Sequence, residues 1–385
     1  YNDTHGHEWH DNALRFTIFC HAAVDIAMDK LKLKWQPDIV HCNDWQSGLV
    51  PALLSLQAER PATIFTIHNL AYQGVFSHQV YTDLHLPGEL WHMDGLEYYG
   101  NVSFIKAGIA YADKVTSVSP TYATEILSPE FGYGLDGLLN SRASDLSGIL
   151  NGIDDKHWNP GTDKYLAQKY NWRSIKKKTI NKTKLQEELS LPVDESVLMI
   201  GMVSRLVEQK GLDMILHSLP MMLSQKIQFV VLGTGETHYE IQLSEWAQQN
   251  PDQLRVIIGY NEPLAHRIEA ASDIYMMPSI FEPCGLNQLY SLRYGTLPMV
   301  TPVGGLADTV FDANEENIEN KTANGFVVDR HSPTGLYEAT SRALACYAKP
   351  ALWQQLQKNA MQGDFSWQAS AERYIQLYQQ LVTPE

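Results

Sequence analysis

Short, largely apolar runs rich in β-branched residues alternate with helical stretches along the whole chain, and this alternation constrains the fold more than any other feature. The first series has apolar runs at residues 38–42, 62–67, 114–118 and 146–150, with helical patterns at 11–33, 46–58 and 102–112. Such near-continuous apolar runs suit strands buried on both faces of a parallel sheet. A second series follows residue 160, at 197–203, 229–232, 255–258, 274–277, 298–301 and 325–328. Repeated strand–helix–strand units wind into an open parallel sheet with helices on both faces. At 385 residues the chain exceeds one ordinary core, so the expectation is α/β, with two Rossmann-like doubly wound parallel-sheet domains. The turn-rich segment Asn151-Gly152-Ile153 through Asn159-Pro160 reads as the hinge. The expected domains are 1–155 and 156–365, followed by a C-terminal helix in 366–385.

Charge narrows the partners. Lys and Arg number 29 against 44 Asp and Glu, a net charge of −15, and a field of that sign repels nucleic acid and anionic lipid. The basic cluster Lys176-Lys177-Lys178, with Lys182 and Lys184, shares its stretch with Glu187 and Glu188 and reads as a solvated helix face. No apolar run approaches the ~20 residues that span a bilayer. The start is polar and His-rich, unlike a signal peptide, and begins at Tyr1 rather than Met, which suggests a fragment. Cys20, Cys42, Cys284 and Cys346 are widely spaced with no CxxC pair, the usage of reduced thiols in a cytoplasm.

In open parallel sheets, ligands sit beyond the carboxyl ends of the strands, and polar residues follow the strands here. Asn43-Asp44-Trp45 follows the run at 38–42, and His68-Asn69 follows 62–67. Arg205 and Lys210 flank a loop that opens a helix at Gly211; two cations there suit a pyrophosphate, or are surface residues. Glu282 lies between a strand and a helix beginning near Gly285, where it could hold sugar hydroxyls or merely cap the helix. Gly304-Gly305 precedes another helix, a weak phosphate signal. His68 could bind a hexose or be structural, and Asp44 has the alternative of an N-cap ahead of 46–58. The tract His5-Gly6-His7-Glu8-Trp9-His10 falls short of HExxH, and Gly233-Thr234-Gly235 fails GxGxxG because residue 238 is His.

Longer strings resemble the bacterial glycogen synthases and plant starch synthases. They include Asp38-Ile39-Val40-His41-Cys42-Asn43-Asp44-Trp45, Thr66-Ile67-His68-Asn69-Leu70-Ala71-Tyr72-Gln73-Gly74 and Gly132-Tyr133-Gly134-Leu135-Asp136-Gly137-Leu138-Leu139. In the second half they include Ser204-Arg205-Leu206, Gln209-Lys210-Gly211-Leu212-Asp213, Phe281-Glu282-Pro283-Cys284-Gly285-Leu286 and Gly304-Gly305-Leu306-Ala307-Asp308. The resemblance implies a GT-B fold, two domains facing a cleft, and retaining transfer of glucose from ADP-glucose to an α-1,4-glucan, with no cofactor and no metal. It implies that Arg205 and Lys210 bind the donor pyrophosphate, and that Glu282 holds the glucose. Cys284, Gly285, Leu286, Asn287, Gly304 and Gly305 would contact sugar and phosphate. Tyr260 would lie near the adenine, and His68, Asn69 and Asp44 would line the glucose pocket.

Two positions depart from that pattern. The family's Gly-rich Lys-x-Gly-Gly-Leu segment has no counterpart, so the chain is expected to start after it, and Asn287 stands where relatives carry Thr. Tyr290, following Glu282, separates the chain from the sucrose synthase relatives, which place a second glutamate there. UDP-glucose as donor and a non-catalytic glucan-binding role remain the rival readings. The tail at 366–381 predicts an amphipathic helix with Ser366 as N-cap and a stripe of Trp367, Tyr374, Leu377, Tyr378 and Leu381, packing back on the first domain by resemblance to the family.

Overall fold

The computed structural model describes residues 9–329 and 331–382, so His5, His7 and Glu8 of the histidine tract lie outside the described residues. The chain separates into two compact units. One comprises residues up to Leu150 together with those from Ser370 onward, and the other is Asn151–Ala369.

Strands of the first unit are β1 (Ile39–Asn43), β2 (Ala62–Ile67), β3 (Val75–Ser77), β4 (Glu97–Tyr98), β5 (Asn101–Ser103), β6 (Lys114–Ser117) and β7 (Leu146–Gly148). Its main sheet runs β1-β2-β6-β7, parallel throughout. Thr63 to Ile67 are all buried on β2, which is why that run reads apolar without alternation. A small antiparallel sheet, β3-β5-β4, was not anticipated; strands of two or three residues carry too little period-two signal.

The first helix, Asn12–Ala27, stops short of the expected residue 33. Beyond it Asp29, Lys32 and Lys34 take positive φ, and Leu31 and Leu33 are exposed. No apolar face remains there to hold a helix against a core. The pattern at 46–58 resolves into a 3₁₀ turn, Trp45–Ser47, and a shorter helix, Leu49–Ser55.

The tail forms a helix at Trp367–Val382, with Ala369 N–H donating to Ser366 Oγ at 3.4 Å. From Ser370 onward it belongs to the first unit. Leu377, Tyr374, Tyr378 and Leu381 pack on Ile39, Ile64 and Ile149. The Tyr378 hydroxyl lies 2.7 Å from His41 Nδ1 on β1. Trp367 is half exposed and off that stripe, contrary to expectation.

Strands of the second unit are β8 (Leu198–Val203), β9 (Ile227–Gly233), β10 (Leu254–Ile258), β11 (Ile274–Met277), β12 (Leu297–Val300) and β13 (Phe326–Val327). They form one parallel sheet in the order β10-β9-β8-β11-β12-β13. The order reverses between β8 and β11, and loops after two such strands frame a ligand crevice.

The lysine cluster is not a solvated face. Lys176, Lys177 and Lys184 are exposed, but Lys178 and Lys182, on the helix Lys178–Glu188, are buried. Lys178 Nζ donates to the Glu269 and Ala270 carbonyls and to Thr296 Oγ1. Burial pulls its pKa down to about 7. Lys182 pairs with Asp273 at 2.5 Å. Each ammonium is satisfied internally, which is the condition for burying one; composition alone gives no sign of it.

Candidate active site

At the switch point, β8 leads into Ser204-Arg205-Leu206 and β11 into Pro278 to Asn287. Lys210 closes a 3₁₀ turn, Glu208–Lys210, and its Nζ lies 2.5 Å from Glu282 Oε2. Ser279 Oγ donates to the same carboxylate oxygen at 3.0 Å. The two loops are tied by their backbones as well: Ile280 N–H donates to the Gln209 carbonyl, and Gln209 Nε2 to the Phe281 carbonyl. Gly211 lets this happen, with φ of +75° and a position where a Cβ would stand 2.1 Å from the Pro278 carbonyl oxygen. Arg205 is exposed on the loop just before that turn, reaching Gln209 Oε1 at 3.5 Å. Glu282 makes no helix cap: the following helix, Asn287–Tyr294, has Leu286 at its N-cap without a side-chain cap bond.

Gly304 and Gly305 begin the helix Gly304–Thr309 and pack against this loop. Gly305 N–H donates to the carbonyls of Glu282 and Pro283 at 3.1 Å each. A Cβ on Gly305 would stand 1.9 Å from the Cys284 carbonyl oxygen. The glycine pair thus lets two backbones touch behind Glu282. Burial pushes the Cys284 thiol up to about 11, so it is a packed thiol and no nucleophile. Gly285 has φ of +67° and Leu286 is exposed. Asn287 Nδ2 donates to the Val203 carbonyl and to Tyr275 Oη, each at 2.8 Å, bracing the end of β8. Tyr260, after β10, is 87% exposed.

In the first unit, His68 N–H donates to Asp44 Oδ1 at 2.8 Å, and His68 Nε2 lies 2.9 Å from Asn43 Oδ1. Asp44 caps no helix by its side chain; it holds the end of β2 instead. Its φ is +55°. Burial raises the Asp44 carboxyl, opposed by His68 and by backbone N–H groups of His68 and Asn69. Asn69 Oδ1 accepts from Ala71 N–H at 3.0 Å, shaping the turn.

The structure therefore gathers Lys210, Glu282, Gly304 and Gly305 in one unit, with Arg205 on the adjoining loop, and Asp44 with His68 in the other. Sequence reading gave no role to Ser279, Tyr275 or Asn43. Asn43 ends β1 and Ser279 follows β11 closely, so strand-end position was the signal that could have found those two; Tyr275 lies within β11 and carries no such signal.

The profile described as the starch synthase catalytic domain matches residues 1–141, and that of the glycosyl transferases group 1 matches residues 181–362. A glycogen synthase from Cellvibrio japonicus is 57% identical over 378 residues, covering 98% of this chain and 78% of that protein. Glycogen synthase 1 from Methylococcus capsulatus is 52% identical over 377 residues, covering 98% and 76%. The catalytic domain of Starch Synthase IV from Arabidopsis thaliana, solved bound to ADP and acarbose, matches with a TM-score of 0.90 at 35% identity, covering 98% of this chain and 79% of that one. On these grounds the chain belongs to the glycogen and starch synthase family of glycosyltransferases with the GT-B fold.

Proposed function

We propose that this enzyme transfers glucose, with retention of configuration, from ADP-glucose to the non-reducing end of an α-1,4-glucan. The observation that carries the reading is the Lys210–Glu282 pair at the switch point, a cation for the diphosphate beside a carboxylate for the sugar. Arg205 and Lys210 stabilise charge that develops on the departing ADP, and Lys210, held in place beforehand by Glu282, needs little reorganisation at the moment of reaction. Glu282 accepts hydrogen bonds from glucose hydroxyls. Backbone N–H groups of Cys284 to Asn287 face sugar and phosphate, with Gly304 and Gly305 behind them. Tyr260 stacks near the adenine; its exposure leaves the ring free for a ligand. His68, Asn69 and Asp44 are the further residues that contact glucose.

The bound ADP in the Arabidopsis relative supports adenine over uracil. Among the described residues no helix is long and apolar enough to cross a membrane, and widely spaced, unpaired cysteines support a cytoplasmic setting. The test is glucose incorporation into glycogen by the protein expressed from its complete coding sequence, with ADP-glucose and UDP-glucose in parallel. Faster incorporation from ADP-glucose is expected. Preference for UDP-glucose would overturn the donor assignment, and glycogen binding without incorporation would leave a non-catalytic glucan-binding protein.

A further inference from the structure

The second unit carries a cluster outside the residues assigned to glucosyl transfer. His157, Glu262 and His266 each offer one donor atom, and these lie within 4.8 Å of one another. Glu262 and His266 sit one turn apart on the helix Glu262–Ala271, a spacing that places both side chains on one face. His157 comes from the turn-rich segment after Asn151, and its Nε2 is 3.0 Å from Glu262 Oε1.

His266 is the informative member. It is fully buried, and its Nδ1 lies 2.7 Å from Asp163 Oδ2. Asp163 is itself fixed by the Tyr294 hydroxyl at 2.6 Å and by the Tyr165 N–H at 2.8 Å. Trp158 stacks on the imidazole, with ring centroids 3.9 Å apart and 7° between planes. A carboxylate on Nδ1 makes that nitrogen the N–H and leaves a lone pair on Nε2. Yet Nε2 is buried without a hydrogen-bond partner among the described residues, a state that costs desolvation free energy. An imidazole oriented by a carboxylate on one nitrogen, with a bare lone pair on the other, is the arrangement of a metal-ligating histidine.

We propose that His157, Glu262 and His266 bind one divalent first-row transition ion, Zn²⁺ or a close analogue, with water completing a tetrahedron and Asp163 as the outer partner. Two imidazoles and a carboxylate suit such an ion. Donors at about 2.0–2.2 Å from Zn²⁺ stand a little over 3 Å apart in a tetrahedron, close to the existing His157–Glu262 separation. His157 and Glu262 are partly exposed, 44% and 41% by side chain, so they can close on an ion that enters from solvent. The bound ion would clamp the segment 154–160 onto the helix that begins two residues after Tyr260. The site is independent of the reading of the glucosyl-transfer residues.

The test is Zn²⁺ titration of the full chain in competition with a chromophoric chelator, with Co²⁺ absorption reporting coordination. His5, His7 and His10 are replaced by Asn in every sample to silence the N-terminal tract. One equivalent of Zn²⁺ should bind and raise Tm. His157→Ala and Glu262→Gln, both at partly exposed positions, should each weaken binding on the order of a hundredfold, at least the loss typical of outer partners. Absence of saturable binding in the Asn background, or unchanged affinity in the His157→Ala/Glu262→Gln double variant, would overturn the proposal.

Discussion

The Lys210 ammonium lies 2.5 Å from the Glu282 carboxylate, and their side chains are only 16% and 10% exposed. A pair this far from water is costly to break by halves, because the remaining charge is left buried and uncompensated. Lys210→Ala is therefore expected to lower stability by about 3 kcal/mol and turnover by about 10²–10³-fold. Arg205→Ala, at an exposed position, should show a turnover loss of similar order with Tm unchanged. Urea unfolding beside steady-state rates separates the two effects. Near-normal turnover in both variants would remove the cations from the diphosphate.

Glu282→Gln keeps the shape of the side chain and an acceptor for Ser279, but loses the charge that faces Lys210 and that the proposed function assigns to the sugar. Transfer should fall at least about tenfold, since charged acceptors bind roughly twice as strongly as neutral ones. Tritiated glucose incorporation into glycogen measures it. A wild-type rate would displace the glucose pocket from this loop.

Gly305 tolerates no side chain, because a Cβ would meet the Cys284 carbonyl oxygen at 1.9 Å. Gly305→Ala should shift the loop carrying Glu282 and depress kcat, while Gly137→Ala, where a Cβ meets nothing, should leave kcat alone. Equal rates in the two variants would show that the close approach is unimportant.

Asn287 makes two hydrogen bonds through one amide nitrogen, to Val203 O and Tyr275 Oη. A Thr at this position would have a single hydroxyl donor. Asn287→Thr should cost about 1 kcal/mol, read as a lower urea midpoint at unchanged m-value.

Burial lowers the His41 pKa from 6.5 to about 4, with the nearby His68 adding to the shift. The unfolded chain takes up a proton below pH 6.5 that the folded chain refuses until about pH 4. Stability thus falls as pH drops through that window, by at most about 3 kcal/mol from this one group. His41→Gln should flatten the decline in stability between pH 6.5 and 4.5. An unchanged slope would mean that other groups carry it.

Legibility followed burial. β2 and β11 were readable to the residue, because strands buried on both faces are apolar without interruption. Lys178 and Lys182 were misread because their partners are backbone carbonyls and Asp273, drawn from distant parts of the chain. Arg205, Lys210 and Glu282 could be placed at strand ends from the sequence. The Lys210–Glu282 contact could not, since the two residues are 72 positions apart and only the strand order β8 beside β11 brings them together.

The chain passes between its units at Leu150–Asn151 and again at Ala369–Ser370, so one unit is continuous in sequence and the other is not. A polypeptide emerges from the ribosome in order, and domains generally fold as units while it does. The sheet made first, β1-β2-β6-β7, must wait through the synthesis of the whole second unit before Leu377 and Tyr378 arrive to cover Ile64 and His41. The second unit can close as soon as Ala369 is out. The half begun first is the half finished last, and in that interval its β1–β2 surface stays uncovered.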